Sequence, residues 1–337
     1  MTVRIERLDP VRVPWSDLRR ARGHTVFATP DWLRFLAATQ RAEPLVLRLD
    51  GDATGWFVGA VVRRGPLRIL GSPLPGWTTP AMGFSGVRSE ELEAALDAVR
   101  RYALLRLGCL HLEVMQDDPV PTSLPPGFHA SPFRGYRLGL VADDDALLGA
   151  MRAHGRRDVR RSLRNGIVVE EVDPSSDPTF LDEHWAQVSA AFARRGLRPT
   201  FPRSRLDALA TRLGGTDLVV CLRARTAEGE PAATGIFPGL AGGTAWFWMG
   251  GSERRLQALL PNEAMIWHAL RAWRDRGATA FDFGGGGTYK AKYGGAPTVR
   301  PWLRASALPG ADLARTVVRR SVRARQLIRP APPAGPR

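Results

Sequence analysis

The sequence predicts an α/β protein made of two similar halves, in which strands and helices alternate along the chain. Its 337 residues are too many for one ordinary hydrophobic core, and 44% of them are hydrophobic, as in globular proteins. Each half reads as a helical start followed by strands, a helix and a strand, which favours an internal duplication. We therefore expect an N-terminal half at 1–142, a C-terminal half at 143–308 and a basic tail at 309–337.

The first half is expected to open with a helix, capped by Thr29 or Asp31 and carrying Pro30 in its first turn. Two strands follow, joined by an Asp-Gly-Asp turn. A loop dense in Gly and Pro comes next, and loops of that length in compact domains are usually functional. The predicted elements are strands at 44–49 and 56–62, the loop at 70–84, a helix at 90–107, and strands at 109–115 and 133–141.

The second half is predicted to begin with a capped helix at 143 that continues through an arginine-rich stretch to Gly166, a natural helix stop. A strand, two helices, a meander of three strands, a helix and two strands follow. Their predicted bounds are 167–172, 180–195, 204–213, 217–223, 232–237, 244–250, 262–276, 278–283 and 302–307. From 311, a basic helix is expected to lead into a disordered Pro-rich end.

The segment FDFGGGGTYKAKYGGAP at 281–297 is the most informative part of the chain. A short buried strand runs into four consecutive glycines, which permit positive φ and close backbone approach. Lys290 and Lys292 follow at once and are the only lysines, because every other basic side chain is arginine. A compact ammonium beside a glycine loop suggests a chemical role. The alternative is a solvated turn with two ordinary lysines.

The net charge of +15 is concentrated in two patches rather than spread over the chain. Residues 152–164 hold six arginines and one aspartate, and 311–337 hold seven arginines and one aspartate. Such patches favour a polyanionic partner, namely phosphates, RNA or anionic lipid, although a solvated helix face is the alternative. The arginines that recur at helical spacing, and so share one face suited to phosphate recognition, are Arg157, Arg160, Arg161 and Arg164.

Cysteine usage and hydropathy argue against several classes of protein. Cys109 and Cys221 both lie in apolar runs, so two buried thiols are expected, and no Cys or His spacing suggests a metal site. There is no apolar run of transmembrane length, and the charged start does not look like a secretory signal. We therefore expect a cytoplasmic protein with no metal.

Three segments resemble the Fem-type, double GNAT-fold transferases and their BioF2-like acyltransferase relatives. They are the Pro-Asp-Trp pattern within 27–35, the basic helix, glycine and strand at 156–169, and Asp282-Phe-Gly with the Tyr-Lys-x-x-Tyr-Gly-Gly motif at 289–295. The resemblance covers roughly 27–307. It implies two tandem GNAT-like halves, each with a mixed central sheet flanked by helices. The chain has no room for the long coiled-coil arm of the staphylococcal-type members.

The resemblance also implies an N-acyltransferase that joins an activated acyl group to an amine, with no tightly bound cofactor. The donor is aminoacyl-tRNA in the cell-wall branch, where the acceptor is a cell-wall precursor, and acyl-CoA in other branches. Segment 250–262 lacks the glycine-rich loop with which ordinary GNAT enzymes cradle the CoA diphosphate, so we favour aminoacyl-tRNA. A specialised metabolite is an equally open acceptor. A non-catalytic protein that binds RNA or glycolipid is a further alternative, and no DNA partner is expected.

Candidate roles follow from the chemistry of amide formation, which needs an aligned amine and a stabilised oxyanion. By resemblance, Lys290 is the cation near the oxyanion or leaving oxygen, although it could instead be salt-bridged to Asp282 and hold the glycine loop. Glu113 near the end of one strand and Asp282 at the end of another are candidate general bases, although either could instead cap or form a salt bridge. Proton transfer assisted by the substrate would need no protein base. By resemblance, Arg34 is a candidate contact for a substrate phosphate. The acceptor groove is assigned to Trp77, Thr78, Thr79, Tyr289 and Tyr293. A lipid-linked acceptor would place the protein peripherally at the inner membrane face.

Overall fold

The computed structural model describes residues 3–141 and 143–308, so the predicted basic helix and Pro-rich end from 311 lie outside the described residues. The α-helices are α1 (Trp15–Arg20), α2 (Pro30–Gln40), α3 (Leu92–Arg101), α4 (Asp144–Ala150), α5 (Ala153–Arg164), α6 (Pro178–Ala193), α7 (Ser204–Leu213) and α8 (Pro261–Asp275). The strands are β1 (Val3–Leu8), β2 (Ala42–Gly51), β3 (Gly55–Arg64), β4 (Leu67–Ser72), β5 (Gly83–Ser85), β6 (His111–Met115), β7 (Phe128–Gly139), β8 (Val168–Val172), β9 (Val219–Arg225), β10 (Pro231–Pro238), β11 (Thr244–Trp246), β12 (Met249–Ser252), β13 (Ala280–Gly285) and β14 (Ala296–Ser306).

The strands form one large mixed sheet and one small antiparallel sheet, with helices packed against them. The large sheet has the order β1-β2-β3-β4-β6-β14-β7-β13-β11, with β5 added on β3, and the small sheet has the order β12-β10-β9-β8. Only two of these pairs are parallel, β4 with β6 and β11 with β13. The predicted mixed α/β class is therefore confirmed.

The two sheets do not correspond one to each half of the chain. Strand β14, near the end of the described residues, inserts between β6 and β7 and pairs antiparallel with both. Its register sets Arg304 opposite Glu113 on one side and Arg300 opposite Phe133 on the other. The large sheet thus joins strands from early and late in the chain into one continuous layer, which places residues from both at a common site.

Most predicted elements are present, because their capping and periodicity signals are local. Thr29 caps α2 by accepting a hydrogen bond from the Trp32 amide, and Asp143 caps α4 in the same way. The predicted helix from 143 to 166 is wrong in one respect, since the chain extends at Met151 and separates α4 from α5. Met151 buries its side chain there. Strands β1, β4 and β5 and helix α1 were not predicted.

The predicted meander is also only partly right. Strands β9 and β10 pair antiparallel, but the predicted strand at 244–250 divides at Phe247 and Trp248. Strand β11 pairs parallel with β13 in the large sheet, whereas β12 pairs with β10 in the small sheet. The chain therefore passes from the large sheet to the small sheet at Phe247 and Trp248.

Three clusters of buried hydrophobic side chains form the core. One lies under α2, α6 and α7, a second around α8 and the small sheet, and a third between α3 and the early strands of the large sheet. Cys109 and Cys221 are both free and buried, as expected. Burial raises the pKa of Cys109 to about 11 and raises that of Cys221 further still, so both thiols stay protonated near neutral pH.

Candidate active site

The lysine loop, defined as residues 284–294, begins at the end of β13. Gly284, Gly286 and Gly287 adopt positive φ values of 69°, 75° and 63°, a backbone path that side-chain-bearing residues rarely follow. A short 3₁₀ helix, Thr288–Tyr293, then turns the chain back, and Gly294 ends it at φ 88°. The glycines thereby let the loop fold over the end of its own strand.

Lys290 reaches from this 3₁₀ helix back to the strand. Its ammonium donates hydrogen bonds to the carbonyl oxygens of Phe283 at 2.5 Å and Gly285 at 2.7 Å, and it lies 5.7 Å from the ring centroid of Phe247. The residue is only 8% exposed. Lys290 therefore does hold the glycine loop, but through backbone carbonyls and not through the salt bridge to Asp282 that was the alternative.

No carboxylate in the part of the chain that the structure describes pairs directly with the Lys290 ammonium. Burial lowers its pKa from the usual value, although the nearby Asp282 carboxylate opposes this shift. An ammonium has three N–H donors, and backbone carbonyls take two of them. One donor is left for a substrate oxygen, which is the arrangement that stabilises negative charge as it develops on an acyl or leaving oxygen.

The two tyrosines of the loop have different environments. Tyr289 is 55% exposed, and its ring lies where a side chain on Gly287 would otherwise sit. Tyr293 is 1% exposed, and its ring stacks on Phe283 with centroids 5.7 Å apart. Tyr289 remains a candidate for the acceptor groove. The assignment of Tyr293 to that groove is corrected, because its ring is part of the core.

Asp282 lies beneath the loop in a buried network of charges. Its side chain is fully buried and pairs with Arg300 at 2.5 Å and Arg137 at 3.3 Å, and both arginines also contact Asp117. The second carboxylate oxygen accepts a hydrogen bond from the Gly284 amide at 2.7 Å. Both carboxylate oxygens are thus occupied by donors within the protein, so the geometry favours a structural role for Asp282 over that of general base.

Glu113 is also buried, but it lies elsewhere in the large sheet. Its carboxylate is 3.2 Å from Nε2 of His111, and β14 and β7 separate its strand from β13. Adjacent strands lie about 4.8 Å apart, so three strand spacings put roughly 14 Å between β6 and β13. The structure therefore does not bring Glu113 to Lys290, and the geometry gives no support to its role as the base.

The arginine helix α5 presents its predicted basic face to solvent. Gly155, Val159 and Ser162 are buried on the opposite side. Only Arg157 among the four has a carboxylate within 4 Å in the described part of the chain, at 3.7 Å from Asp158. The exposed arginines are Arg157, Arg160, Arg161 and Arg164. Their expected common face is thus confirmed.

The arginine helix packs directly on the lysine loop. The Lys292 carbonyl accepts a hydrogen bond from the Arg152 amide at 3.1 Å, at the start of α5. The Lys292 ammonium pairs with Asp158 of α5 at 3.2 Å and with Glu263 of α8 at 2.7 Å. Lys292 therefore fixes the loop against α5 and α8 through two ion pairs. Nothing in the sequence distinguishes this structural role from the role of Lys290.

We expect Gly155→Ala to disturb this junction, because a Cβ at Gly155 would lie 2.1 Å from the Lys292 carbonyl oxygen. The helix and the loop would have to separate, at a cost of about 1–3 kcal/mol in the free energy of unfolding. Thermal unfolding measures the effect. Gly149→Ala is the control, since a Cβ there meets nothing within 4 Å in α4, and it should be neutral or stabilising by up to about 1 kcal/mol. Equal losses in both variants would contradict the close contact.

The remaining groove residues lie on the Gly-Pro loop, defined here as residues 73–82. Trp77 and Thr79 are 4% and 5% exposed, and Thr79 accepts a hydrogen bond from Nε1 of Trp32 at 3.1 Å. Their assignment to the groove is corrected, since both belong to the packing around α2. Thr78 is half-buried and has a φ of 56°, which is rare for threonine. Of the three, Thr78 alone keeps substantial exposed surface.

Arg34 is exposed on α2 and pairs with Asp31 of the same helix at 2.5 Å. Helix α2 packs on α7 and β2, whereas α5 packs on α8 and the lysine loop. The structure therefore does not group Arg34 with the arginine helix. Sequence reasoning also missed Arg137, Arg205 and Arg300, because in a chain so rich in arginine no local pattern distinguishes a buried one.

Helix α8 begins at the end of segment 250–262, which the resemblance sets in the place of the CoA diphosphate loop. Pro261 occupies its first position and supplies no amide hydrogen, and Leu260 before it has a φ of 61°. The carboxylate of Glu263, held by Lys292, lies in the first turn. A helix N-terminus attracts anions through its free amides, but here a missing amide and a carboxylate in the first turn both weaken that attraction.

Two further features of the described residues bear on the site. They contain no cluster of His, Cys, Asp and Glu that suits a metal ion. Within the same residues, no helix combines the length and the apolar character needed to cross a lipid bilayer.

Comparison with solved structures identifies the fold. FemX aligns with 93% of this chain and 99% of its own at a TM-score of 0.66, with 13% sequence identity. L-PGS from Bacillus licheniformis aligns with 90% of this chain and 99% of its own at a TM-score of 0.52 and 15% identity. A tandem GNAT protein from the clavulanic acid biosynthesis pathway aligns with 91% and 99% at a TM-score of 0.51 and 15% identity. At these identities the likeness concerns the fold.

Comparison of sequences adds the type of enzyme. None of the curated proteins matches the chain. Residues 149–293, which include the arginine helix, α8 and Lys290, match the family described as the acetyltransferase (GNAT) domain. This match supports an acyltransferase rather than the non-catalytic alternative. The chain therefore has a Fem-like double GNAT fold, and through its GNAT acetyltransferase domain at 149–293 it is an N-acyltransferase.

Proposed function

We propose that the protein transfers an aminoacyl group from aminoacyl-tRNA to an amine, forming an amide bond. The observation that carries this proposal is the direct packing of the arginine helix on the lysine loop, through Gly155 and Lys292. Phosphates bound along the exposed arginines would lie across α5 from the loop that holds Lys290, a distance of about 10 Å that a donor as large as tRNA can span. One bound donor could thus contact both the basic face and the buried ammonium.

The reaction needs little from the protein beyond alignment and charge stabilisation. The amine nitrogen attacks the ester carbonyl carbon, the C–N bond forms, and the C–O bond to the ribose breaks. Lys290 donates its remaining hydrogen bond to the oxygen on which negative charge develops, which contributes about 3 kcal/mol of transition-state stabilisation. The amine proton passes to the departing hydroxyl oxygen. This substrate-assisted route fits a site in which Asp282 is held by Arg137 and Arg300.

An acyl-CoA donor is the second candidate. The structure of the tandem GNAT protein from the clavulanic acid biosynthesis pathway is a form without AcCoA, which implies that this protein also has a form that binds acetyl-CoA. Lys290 would serve a thioester in the same way as an ester. Against this donor, Pro261 and Glu263 make the start of α8 a poor site for a diphosphate. We therefore favour the tRNA donor.

The sequence resemblance to Fem-type transferases and the fold shared with FemX both agree with this choice. Candidate acceptors are a cell-wall precursor or a specialised metabolite that bears an amine. The proposal includes a cytoplasmic protein with no tightly bound cofactor. A lipid-linked acceptor would bring it to the inner membrane face, where its basic surface would meet anionic lipid.

Titration of the purified protein with deacylated tRNA and with acetyl-CoA, each at two salt concentrations, tests the donor. We expect salt-sensitive binding of tRNA and no saturable binding of acetyl-CoA. Replacing Arg160, Arg161 and Arg164 together with alanine should reduce the slope of log affinity against log salt by about 2, because each phosphate contact releases counterions.

The matched control removes three exposed arginines from β2 and β3, at Arg48, Arg63 and Arg64, and thus the same net charge. It should leave the slope nearly unchanged. Saturable acetyl-CoA binding with only loose tRNA association would refute the tRNA donor and support the acyl-CoA enzyme. Equal slopes in the two triple variants would show that α5 is not the tRNA surface.

A further inference from the structure

Two buried cations lack a charged partner among residues 3–141 and 143–308. The buried acidic, lysine and arginine side chains of the described residues are Glu91, Glu113, Arg205, Arg223, Glu263, Asp282, Lys290 and Arg300. Each of them except Arg205 and Lys290 lies within 4 Å of a side chain that can carry the opposite charge. Burying an unpaired charge is costly, so such groups point to a ligand of opposite charge.

Arg205 lies near the start of α7, under the Gly-Pro loop. Its Nη1 donates to the Gly76 carbonyl at 3.2 Å and to Oγ1 of Thr78 at 3.1 Å, and the guanidinium lies 5.8 Å from the Phe201 ring. Its Nε is buried and has no hydrogen-bond partner in the described structure. The side chain is 5% exposed, so the guanidinium is poorly compensated where it lies.

Two further properties of the surroundings of Arg205 indicate a functional constraint. Thr78 keeps a left-handed backbone, a strained conformation that is common at ligand sites. Burial lowers the pKa of Arg205 to about 10, because no anion offsets the loss of hydration. An anion placed against the guanidinium would relieve this penalty.

Arg205 and Lys290 flank the same short segment. Phe247 and Trp248 join β11 to β12 where the two sheets separate, and both are half-buried. The Phe247 ring lies under the Lys290 ammonium, and Nε1 of Trp248 donates to the Thr78 carbonyl, next to the guanidinium. Lys290 and the loop that holds Arg205 thus contact two neighbouring residues of one backbone segment.

We propose that Arg205 binds an oxyanion of the acceptor, a carboxylate or a phosphate, and so positions the acceptor's amine for acylation at Lys290. This inference rests on the proposed N-acyl transfer and names the class of acceptor, an amine that also carries an oxyanionic group. Arg205 is a positioning residue, since it contacts the anion and not the reacting atoms. The planar guanidinium suits both oxyanions, because its fork can offer two parallel hydrogen bonds.

Thermal unfolding in sodium phosphate and in sodium acetate, each compared with sodium chloride at equal ionic strength, tests the proposal. We expect phosphate or acetate to raise the Tm of the wild-type protein by about 1–3 °C above chloride, because an anion that binds only the folded state stabilises it. The Arg205→Gln variant should lose this increment. Phosphate alone would indicate a phosphorylated acceptor, and acetate alone a carboxylate-bearing one.

Arg203→Gln is the matched control, because Arg203 lies two residues away and already pairs with Asp182 and Asp207. It should retain the wild-type increment, which separates specific binding from a general loss of positive charge. No anion-specific increment in the wild type, or equal increments in both variants, would overturn the proposal.

A second variant keeps the test decisive if Arg205→Gln fails to fold. Arg205→Lys keeps the charge but loses the planar fork, so the anion concentration that gives half of the increment should rise several-fold. An unchanged concentration would overturn the proposal. These measurements use no acyl donor, so they can fail while tRNA binding succeeds, and the converse also holds.

Discussion

Lys290→Ala is expected to lower kcat by about 10²–10³-fold, the usual effect of removing one donor that stabilises a developing oxyanion. The donor of Lys290 is already oriented by the Phe283 and Gly285 carbonyls, so it needs no reorganisation during the reaction. Steady-state transfer with the donor selected by the binding titration measures the effect. The substrate Kd should change much less than kcat, because the interaction strengthens only in the transition state.

The pH dependence provides an independent readout of the same group. Burial lowers the pKa of Lys290 below its usual 10.5, so the ammonium and the activity should be lost as pH rises through that lowered value. The free energy of unfolding should instead increase with pH. Between the folded and the unfolded pKa the unfolded chain binds more protons, so the free energy of unfolding rises with pH in that window. Lys290→Met should remove this rise.

Lys292→Ala is the comparison within the same loop. It removes a salt-bridged cation from between Asp158 and Glu263, so we expect its main effect on Tm. Lys290→Arg keeps the charge and should move the alkaline limb of activity to higher pH, since guanidinium does not deprotonate in this range. If Lys290→Ala loses stability but keeps the wild-type kcat, the lysine only braces the glycine loop.

Asp282→Asn is expected to cost about 3–5 kcal/mol in the free energy of unfolding, because it leaves the buried Arg300 and the half-buried Arg137 short of a counter-charge. Asn retains an oxygen for the Gly284 amide, so the loss reflects charge more than hydrogen bonding. Arg300 is the more affected partner, since its Nε and Nη2 already lack partners in the described structure. Chemical denaturation monitored by circular dichroism measures the change.

The matched control for this substitution is Asp31→Asn, which breaks the surface pair with Arg34. Exposed pairs contribute about 0–1 kcal/mol, so the control should remain close to the wild type. Similar losses in the two variants would mean that the Asp282 network contributes no more than a surface ion pair. A preserved fold with a large loss of activity in Asp282→Asn would instead restore it as a candidate base.

Local signals in the sequence predicted elements well where periodicity and capping agree. Helix α7 has the predicted bounds of 204–213, and α5 shows the predicted division into a buried side and an arginine face. The sequence also singled out Lys290, because the only two lysines of the chain follow four consecutive glycines, whereas all other Lys or Arg positions are arginine. These features depend on residues close together in the chain.

The sequence by itself thus determined the α/β class, most helices and strands, the basic face of α5 and the lysine loop. Only the tertiary structure decided that β14 inserts between β6 and β7, that 244–250 divides between two sheets, and that Trp77, Thr79 and Tyr293 are buried. It also decided which arginines are paired, and it buried Arg205 with no carboxylate partner among the described residues. Strand pairing and burial depend on contacts between residues far apart in the chain, which periodicity and composition do not encode.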